Sequence, residues 1–513
     1  MGKIKTFLMS FVLLMVSSLC FAATGTVQQS YDVVVIGGGA SGAAAALSAA
    51  QSGSKVLLIE KARELGASQF SSGMMGVNTS LQRARNMKIT PLEVFKQMED
   101  YTHLFFNARL ARTTVEHSAE TIDWLMKNGA KIWLPDMPQQ FAHDAEKPII
   151  YHRWNSNQGV KAIGASFEKA GGTVLLRTTG SKILTDANGA VCGVEAVGDD
   201  GTKYSFKTKV AIVATGGFLG NQKMMDDMGI VGHPMGWLYN DGDGLKMAWD
   251  AGAAKYHETV TEYHGTGIVE KGTNKESVFM PKLESLIHVP ILWLDKTGQR
   301  YYNEHHVYDN AYVANALVPV GGSGFVVFDQ AMLNKFMTSK TGMIDSFANI
   351  RNIPGLENGP IPNLQKDLEA AMKEGIVFKG NTLEELAAKA GFHKDDFVKQ
   401  VADYNRYVKT GVDEQFGKPK ADLLYPVSKS PFYALEVTAY NLTTIGGIRV
   451  NEKLEAVDND MNPVKGLYAV GNVAGGLYSD SYMTVEGLTA GFAVVSGKLA
   501  GENSSAYVKS LKK

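Results

Sequence analysis

The stretch from Tyr31 to Glu60 constrains the fold of this chain more than any other. Its sequence, YDVVVIGGGASGAAAALSAAQSGSKVLLIE, places a valine-rich apolar run before a glycine turn, followed by an alanine-rich segment, a second apolar run and an acid. A β-branched apolar run is typical of a strand buried on both faces, and alanine favours helix. The stretch therefore predicts a β–α–β unit and, with it, an α/β fold built on a parallel sheet.

The glycines of the turn have the spacing G-x-G-x-x-G of a dinucleotide-binding site. Gly37 allows the tight turn, Gly39 lets the backbone approach a pyrophosphate, and Gly42 permits close packing of helix against strand. The following helix presents free N–H groups to phosphate, and Glu60 stands where a carboxylate binds a ribose hydroxyl. Because strand, helix and acid are all in place, the motif predicts a bound dinucleotide, either NAD or FAD.

Length, charge and cysteine content set wider limits. A chain of 513 residues is expected to form about two or three folding units. Its formal net charge of -1 gives no reason to expect nucleic acid or an anionic membrane as partner. Cys20 and Cys192 are the only cysteines, which excludes a C-x-x-C-H haem site and cysteine metal clusters. No metal site is predicted.

Residues 1–23 have the pattern of a secretory signal peptide. Lys3 and Lys5 form a basic start, an apolar core runs from Phe7 to Val16, and small residues follow from Ala22. The apolar core is too short to span a bilayer, so we expect cleavage, export to the periplasm and no transmembrane segment afterwards. The alternative is an uncleaved membrane anchor.

Changes in sequence texture along the chain predict an inserted domain. Residues 24–254 and 432–513 are rich in glycine and contain apolar runs followed by glycine turns, such as VAIVATGGFLG and GLYAVGNVAGG. Residues 255–431 instead contain lysine-rich patches with helical periodicity. We therefore predict a Rossmann-like domain in two parts, 24–254 and 432–513, with an α+β domain inserted at 255–431.

Several separate motifs together resemble one family, the flavoprotein subunits of fumarate reductase and succinate dehydrogenase with their soluble periplasmic relatives. The motifs are VVIGGGASG, the pair Glu60–Lys61, IVATGGF, NDGDG, DKTGQRYYNE, TTIGG and GLYAVGN. The resemblance covers nearly all of the mature chain. It implies that the dinucleotide is FAD, that the insert is a mobile capping domain, and that the substrate binds between cap and flavin.

The resemblance also implies which residues hold FAD. Some relatives attach FAD covalently through a histidine in the loop that corresponds to residues 66–73, but this loop contains no histidine, so dissociable FAD is expected. The implied FAD-binding residues are Gly37, Gly39, Ser41, Gly42, Glu60, Lys61, Ser68, Gln69, Ser72, Gly73, Ala214, Asp243, Asn472, Leu488 and Thr489.

This chain departs from the family at the positions that bind a dicarboxylate. Fumarate-reducing members have an arginine as proton donor four residues after the glutamate of their N-E pair, and here that position is Tyr308. A second substrate arginine corresponds to Tyr482, and Thr443 stands where a histidine precedes T-x-G-G. Arginine is the side chain best suited to bidentate carboxylate binding, so these replacements argue against fumarate or succinate.

Tyrosines at these two positions are similar to those of the 3-ketosteroid dehydrogenases, a neighbouring branch on the same scaffold. In that branch one tyrosine exchanges a proton with the substrate and the other binds a ketone oxygen. By this resemblance we interpret Tyr308 as a proton donor and Tyr482 as a carbonyl-binding group. His264, in EYHGTG, lies roughly where relatives have an H-P-T histidine that reaches a substrate carboxylate, and we interpret it as a further substrate contact. The alternative is that the tyrosines are packing residues and the histidine is structural.

Together, these features predict an exported FAD-dependent oxidoreductase that reduces a C=C bond next to a carbonyl. Exported relatives serve as terminal reductases in anaerobic respiration, so an external donor such as a periplasmic cytochrome is implied. Three alternatives stay open: a 3-ketosteroid 1-dehydrogenase-like enzyme, a fumarate or succinate oxidoreductase, and a flavin carrier that only relays electrons. A pure carrier needs neither tyrosine.

Overall fold

The glycine-containing stretch forms the predicted unit of strand, turn, helix and strand. The first strand covers Val33–Ile36, the helix covers Ala40–Gln51, and the second strand covers Val56–Ile59. The two strands pair in parallel, with Val33 opposite Val56. The β–α–β prediction is therefore confirmed.

The computed structural model describes residues 26–67, 71–135, 149–235, 239–273, 275–339, 360–479 and 485–512. The predicted signal peptide lies outside these residues. The strands are β1 (Val27–Ser30), β2 (Val33–Ile36), β3 (Val56–Ile59), β4 (Gly73–Met75), β5 (Ile132–Trp133), β6 (Tyr151–Trp154), β7 (Thr173–Leu175), β8 (Thr178–Thr185), β9 (Val191–Gly198), β10 (Lys203–Lys207), β11 (Val210–Val213), β12 (His233–Pro234), β13 (Lys255–Tyr256), β14 (Thr261–Gly267), β15 (Leu292–Asp295), β16 (Ser323–Asp329), β17 (Val377–Gly380), β18 (Phe432–Thr444), β19 (Gly447–Arg449), β20 (Glu455–Val457), β21 (Pro463–Ala469) and β22 (Ala474–Gly475). The α-helices are α1 (Ala40–Gln51), α2 (Ser80–Ala84), α3 (Pro91–Thr102), α4 (Ala108–Lys127), α5 (Ser156–Lys169), α6 (Gln222–Asp227), α7 (Asp243–Asp250), α8 (Met280–Leu283), α9 (Asn310–Leu317), α10 (Gln330–Thr338), α11 (Leu364–Lys373), α12 (Leu383–Ala390), α13 (Lys394–Thr410) and α14 (Leu488–Ser510). None of these helices is both long and apolar enough to cross a membrane.

The central sheet of the Rossmann-like domain has six strands in the order β20-β21-β11-β2-β3-β7. All neighbours pair in parallel except β20, which is antiparallel to β21. Every residue of β2, β3 and β11 is buried, as expected for strands covered on both faces. The turns after β2, β11 and β21 therefore meet at one edge of the sheet, where ligands bind in open α/β folds.

Helix α14 packs directly against α1 through small residues. A Cβ atom added to Gly497 would lie 2.2 Å from the carbonyl oxygen of Ser41, and one added to Gly501 would lie 2.5 Å from that of Ala45. The two helix backbones can approach this closely only because these positions are glycine. This contact secures α1, whose first turn carries the glycine motif.

The inserted region forms its own mixed sheet around the long strand β18. The sheet has the order β12-β18-β16-β15, and β14 and β17 also pair with β18. Its apolar side chains form clusters within residues 268–440, separate from the core formed by residues 31–260 and 445–508. These cores place most of β18 with the insert, whereas the boundary predicted at residue 431 assigned the whole strand to the Rossmann-like domain. The carboxyl end of β18 returns to that domain, where the backbone N–H of Phe218 donates to Thr444 Oγ1 at 2.9 Å.

A buried ion cluster fixes the turn that precedes α9. The guanidinium of Arg300 donates to Glu304 at 2.8 and 2.6 Å and to Asp413 at 3.0 and 3.0 Å. All three side chains are completely buried. Glu304 begins the 3-10 helix Glu304–Tyr308, and α9 follows directly. The cluster thus anchors a segment whose continuation reaches the candidate site.

Candidate functional site

A cavity of about 670 Å³ lies between the ligand-binding edge of the central sheet and the insert. We call the part lined by the strand-end turns of the Rossmann-like domain the cofactor half. The opposite part, the cap half, is lined mainly by the insert, with contributions from β6, from the segment between β12 and α7, and from the segment just before α14. The cap half is formed by Tyr151, Met235, Tyr239, Glu262, His264, Glu276, Met280, Glu284, His288, Asp309, Asn310, Tyr440, Thr443 and Glu486.

The glycine turn in the cofactor half leaves a cradle that side chains would fill. Gly37 has a φ of 107°, and a Cβ atom there would lie 2.4 Å from the carbonyl oxygen of Ala214. A Cβ atom on Gly42 would lie 1.8 Å from the carbonyl oxygen of Gly37. Helix α1 starts after Gly39 with no side-chain cap, so no capping side chain occupies its first N–H groups, which are available to a ligand at the glycine turn. These features fit a bound pyrophosphate.

Glu60 closes the cradle and holds the glycine turn in place. Its Oε2 accepts the backbone N–H of Gly38 at 2.6 Å, and its Oε1 accepts that of Ala62 at 2.7 Å. Each carboxylate oxygen has a second lone pair, so Glu60 can also accept a ribose hydroxyl. Because Glu60 lines the cavity, it occupies the position that the sequence motif requires.

Lys61 ties the end of β3 to the NDGDG turn. Its Nζ lies 2.5 Å from Asp241 Oδ2 and 3.9 Å from Asp243 Oδ2. Burial opposes ionisation of Asp241, but the hydrogen bond and the charge of Lys61, together with hydrogen bonds from Asp243, outweigh burial and lower the pKa of Asp241. Burial and the neighbouring Asp241 charge together raise the pKa of Asp243. The only lysine among the described lining residues is therefore already paired with carboxylates at the cofactor end.

Most of the implied FAD-binding residues meet in this half of the cavity. Gly42 and Leu488 are buried and are not among the described lining residues, and Ser68 and Gln69 lie outside the described residues. The set converges on one cavity from distant parts of the chain, and the assignment of these residues to FAD stays a prediction. Those that line the cavity are Gly37, Gly39, Ser41, Glu60, Lys61, Ser72, Gly73, Ala214, Asp243, Asn472 and Thr489.

The predicted catalytic residues have different positions relative to the cavity. His264, on β14, lines the cap half. Tyr308 is half-buried at the end of its 3-10 helix, beside the rings of His305 and His306, and is not among the described lining residues. Burial and the nearby Asp309 charge raise its pKa. Tyr482 lies outside the described residues, so the roles of both tyrosines stay predictions.

Tyr151 is a lining residue to which sequence reasoning assigned no role. Its hydroxyl lies 2.5 Å from Ser72 Oγ, and a Cβ atom on Gly73 would lie 2.3 Å from its ring. Burial raises the pKa of Tyr151 to about 12, so the phenol is protonated at neutral pH. Tyr151 is brought close to the loop of residues 66–73 by the pairing of β4 with β6, which places Tyr151 opposite Met75. No local sequence motif contains Tyr151, so only this long-range pairing could have identified it.

A carboxylate and an imidazole form a second pair of polar groups in the cap half. Glu284 Oε1 lies 3.7 Å from His288 Nε2 at opposite ends of the 3-10 helix Glu284–His288. Both side chains are buried and both line the cavity. His288 was not among the predicted site residues. Its identification needs the folded structure, because the conformation of this short helix brings the two side chains together.

Comparisons with known proteins agree with this arrangement. The model of the family described as "FAD binding domain" matches residues 32–483. The vinyl phenol reductase of Lactiplantibacillus plantarum is 31% identical over 93% of this chain and 97% of its own length. Both shared length and identity are large enough to show common family membership.

Two solved structures share the fold. The open conformation of a flavocytochrome c3 fumarate reductase superposes with a TM-score of 0.65 at 23% identity, covering 94% of this chain and 79% of that one. The 3-ketosteroid Δ1-dehydrogenase of Sterolibacterium denitrificans superposes with a TM-score of 0.68 at 16% identity, covering 93% and 100%. This chain therefore belongs to the FAD-binding flavoprotein family of the fumarate reductases and is an oxidoreductase that acts on carbon–carbon bonds.

Proposed function

We propose that this chain is an exported FAD-dependent reductase that hydrogenates an activated C=C bond with electrons from a separate donor. The observation that carries the proposal is the continuity of the cavity from the glycine turn to the cap half. A planar substrate in the cap half would lie next to a cofactor held by the turns of the central sheet.

The proposed reaction divides its tasks between cofactor and protein. FAD bound in the cofactor half supplies a hydride to one carbon of the double bond. The protein must give a proton to the other carbon and hold the oxygen on which negative charge develops. We assign the proton to Tyr308 and the oxygen to Tyr482, with His264 as a further contact. Burial raises the pKa of Tyr308, so its phenol carries a proton at neutral pH.

The assignment of Tyr308 rests on its position in the family motif and on its neighbours. Asp309 and Asn310, the next two residues, line the cap half. Helix α9 and the buried Arg300 cluster hold this segment against the cavity.

The substrate we propose is not a dicarboxylate. The described lining of the cap half contains no arginine, and Tyr308, Tyr482 and Thr443 stand where relatives have their cationic clamp. The relative from Lactiplantibacillus plantarum is named for vinyl phenol, a compound without a carboxylate. An alkene activated by a carbonyl or a phenol suits this site better than fumarate.

Export and the electron source complete the proposal. The signal pattern of residues 1–23 supports delivery to the periplasm, and the absence of a C-x-x-C-H motif from the sequence supports an external donor such as a periplasmic cytochrome. FAD is proposed to bind without a covalent link, because no histidine occurs in residues 66–73. Acid precipitation of the purified protein should then release all of its flavin into solution.

The test uses the mature protein loaded with FAD and reduced anaerobically with dithionite. Enoates, enones and vinyl phenols are added one at a time while flavin reoxidation is followed. Rapid reoxidation by at least one of these alkenes supports the proposal. Reoxidation by fumarate as fast as by any other compound would refute the inference that the site has lost its dicarboxylate-binding residues. Reoxidation by a cytochrome but by no alkene would identify the protein as an electron carrier.

Variants of the two tyrosines test their roles. Tyr308→Phe and Tyr482→Phe should each lower the rate of alkene reduction by about a hundredfold while FAD content stays the same, because a general acid such as Tyr308 and a donor to the developing negative charge such as Tyr482 each contribute about that much. Tyr312→Phe is the matched control, since Tyr312 is a half-buried tyrosine on α9 that is not among the described lining residues. If Tyr308→Phe turns over as fast as Tyr312→Phe, then Tyr308 is not the donor.

A further inference from the structure

Two hydroxyl side chains that line the cofactor half are each hydrogen-bonded to a tyrosine. Ser72 Oγ lies 2.5 Å from the Tyr151 hydroxyl, and Thr489 Oγ1 lies 2.7 Å from the Tyr478 hydroxyl. Tyr151 also lines the cavity, whereas Tyr478 is only 1% exposed and is not among the described lining residues. The sequence motifs assigned Ser72 and Thr489 to the cofactor but gave neither tyrosine a role. We call the two arrangements the Ser72–Tyr151 pair and the Thr489–Tyr478 pair.

The fold fixes both pairs on adjoining segments. The backbone N–H of Met75, at the end of β4, donates to the carbonyl oxygen of Gly487, directly before α14, at 2.8 Å. The ring of Tyr151 fits against both segments only because Gly73 and Gly487 lack side chains. A Cβ atom on Gly73 would lie 2.3 Å from the ring, and one on Gly487 would lie 2.8 Å from it. The direction of the Tyr151 hydroxyl is therefore set by the packing of its ring.

The two pairs lie where the cofactor half meets the cap half. Tyr151 and Glu486 line the cap half, while Ser72 and Thr489 line the cofactor half. In a flavin enzyme the ring must lie next to the substrate, because the hydride passes directly between them. A dinucleotide whose pyrophosphate lies in the glycine cradle would thus place its ring at this boundary. Ser72 and Thr489 are therefore the candidates for hydroxyl contacts to the ring.

The Ser72–Tyr151 pair has one hydroxyl hydrogen more than its internal bond uses. Two hydroxyls carry two hydrogens, and the bond between them takes one. Burial raises the pKa of Tyr151 to about 12 and the pKa of Tyr478 well above its ordinary value, so both phenols stay protonated at neutral pH. Within the described part of the chain, neither Ser72 Oγ nor Thr489 Oγ1 forms a second side-chain hydrogen bond. A hydrogen is thus left to donate into the cavity.

The acidity of the two kinds of hydroxyl sets the direction of each bond. A phenol, with a reference pKa of about 10, is a better donor and a poorer acceptor than an aliphatic hydroxyl, because its oxygen shares electron density with the ring. We therefore expect the tyrosines to donate to Ser72 and Thr489, whose own hydrogens then face the cavity. A hydroxyl that accepts such a bond is polarised and becomes a stronger donor.

We propose that Tyr151 and Tyr478 are positioning residues that make Ser72 and Thr489 hydrogen-bond donors to the flavin ring and thereby raise its reduction potential. Reduction adds electrons to the ring, so a hydrogen bond donated to its nitrogens or carbonyl oxygens favours the reduced form. A higher potential suits a flavin that collects electrons from a separate donor. The inference concerns the cofactor and holds whichever alkene is reduced.

The midpoint potential of the bound FAD tests this proposal without turnover. It is measured anaerobically at neutral pH against a reference dye, in the FAD-loaded wild type and in single variants. Ser72→Ala and Thr489→Val should each make two-electron reduction about tenfold less favourable, a fall of about 30 mV, because a donated bond is lost. Tyr151→Phe and Tyr478→Phe should each cost about threefold, or about 15 mV, since the donor stays but loses its polarisation and fixed direction.

Three further variants separate hydrogen-bond donation from packing. Tyr433→Phe is the matched control, because Tyr433 is a fully buried tyrosine that donates to Gln330 Oε1 at 2.6 Å and is not among the described lining residues. Its potential should equal that of the wild type. Thr489→Ser keeps the hydroxyl and should retain most of the potential that Thr489→Val loses. The double variant Ser72→Ala/Tyr151→Phe should match Ser72→Ala alone, since Tyr151 acts through Ser72.

The outcomes separate the parts of the proposal. Potentials of Ser72→Ala and Thr489→Val that equal or exceed that of Tyr433→Phe would overturn it. Shifts in these two variants without shifts in the two tyrosine variants, or an additive double variant, would overturn the positioning role. If the buried Tyr478 cannot be replaced, the half-buried Ser72 and Thr489 still decide. Because no alkene is present, the expected potentials can be found even if the proposed reaction fails.

Discussion

The buried Arg300 cluster allows a quantitative test of how the cap is held together. In this cluster Arg300 binds Glu304 and Asp413 through four hydrogen bonds of 2.6 to 3.0 Å, with all three side chains fully buried. Asp413→Asn keeps the size of the side chain and removes its charge. The remaining amide can accept from Arg300 through one oxygen, but its NH₂ group then faces the guanidinium.

The expected cost follows from the pKa of Asp413. Burial opposes its ionisation, yet the bonds from Arg300 and from the backbone of Lys418 and Gln415 hold its pKa at about 2. Against an ordinary value of about 3.9, this shift corresponds to about 2.5 kcal/mol of stability at neutral pH. Breaking a buried ion pair by removing one partner costs about 3–5 kcal/mol. We therefore expect Asp413→Asn to lower the free energy of unfolding of the cap by about 3 kcal/mol.

Hydrogen exchange at neutral pH measures this loss within the cap. Peptides from β15, β16 and α13 should exchange about 150-fold faster in Asp413→Asn if exchange occurs through opening of the cap, because each 1.36 kcal/mol is a factor of ten. Asp403→Asn is the control: it breaks the partly exposed Lys399–Asp403 pair on α13, 2.6 Å long, and should cost less than about 1 kcal/mol. Equal effects of the two variants would refute the reasoning.

The pH dependence of the stability difference gives an independent check that ionised Asp413 stabilises the fold. A carboxyl group whose pKa is lowered by folding stabilises the fold above its unfolded pKa and loses that contribution as the pH falls through its folded pKa. The stability difference between wild type and Asp413→Asn should thus be constant at neutral pH and shrink below about pH 4.

Two further predictions concern the cofactor cradle and a buried histidine. Gly42→Ala would place a Cβ atom 1.8 Å from the carbonyl oxygen of Gly37, so the turn must shift. The purified variant should therefore contain much less FAD per chain, measured as flavin absorbance relative to protein. Full FAD content would contradict the close-packing role of Gly42. Burial lowers the pKa of His152 to about 4, and its Nε2 lies 2.8 Å from Thr79 Oγ1. Because His152 binds a proton more readily in the unfolded chain, the free energy of unfolding should fall by about 3 kcal/mol as the pH falls from about 6.5 to 4. In His152→Gln, the free energy of unfolding measured with urea should change much less over this pH range.

The cofactor half was largely predictable because its geometry depends on the backbone of one short stretch. Gly37, Gly39, Gly42 and Glu60 lie within a single β–α–β unit, whose parallel pairing fixes their relative positions. The spacing of glycines is itself the geometric requirement, because any side chain there would collide with the turn. Such a site can be recognised without knowing what packs around it.

The cap half was less predictable because long-range pairing assembles it. Tyr151 reaches the flavin loop through the pairing of β6 with β4, and Glu262 enters on β14 through an irregular pairing with β18. Glu284 and Asp309 lie on separate short helices of the insert. No spacing rule links these residues along the chain, so their shared cavity appears only in the folded structure.

The boundary between the insert and the second part of the Rossmann-like domain was also hard to predict from the sequence, because it depends on long-range strand pairing. The β-rich, glycine-rich character that returns at Phe432 favoured a return to the Rossmann-like domain. Strand β18 nevertheless pairs with β16 from Phe432 to Thr438, inside the insert. Composition describes the type of element, whereas the partner of a strand depends on the whole topology.

The segment that contains Tyr308 shows why the position of a residue in a motif does not by itself tell which neighbouring side chains line the cavity. Successive residues on a 3-10 helix point about 120° apart, so adjacent positions differ in what they contact. Glu304 is fixed in the protein interior by Arg300, and this sets the rotation of the whole turn. With that rotation Asp309 and Asn310 line the cavity. Asp309 also caps α9, so its replacement would mix stability with binding. Asn310 is therefore the lining residue of this segment that can be replaced without removing the side-chain cap of α9.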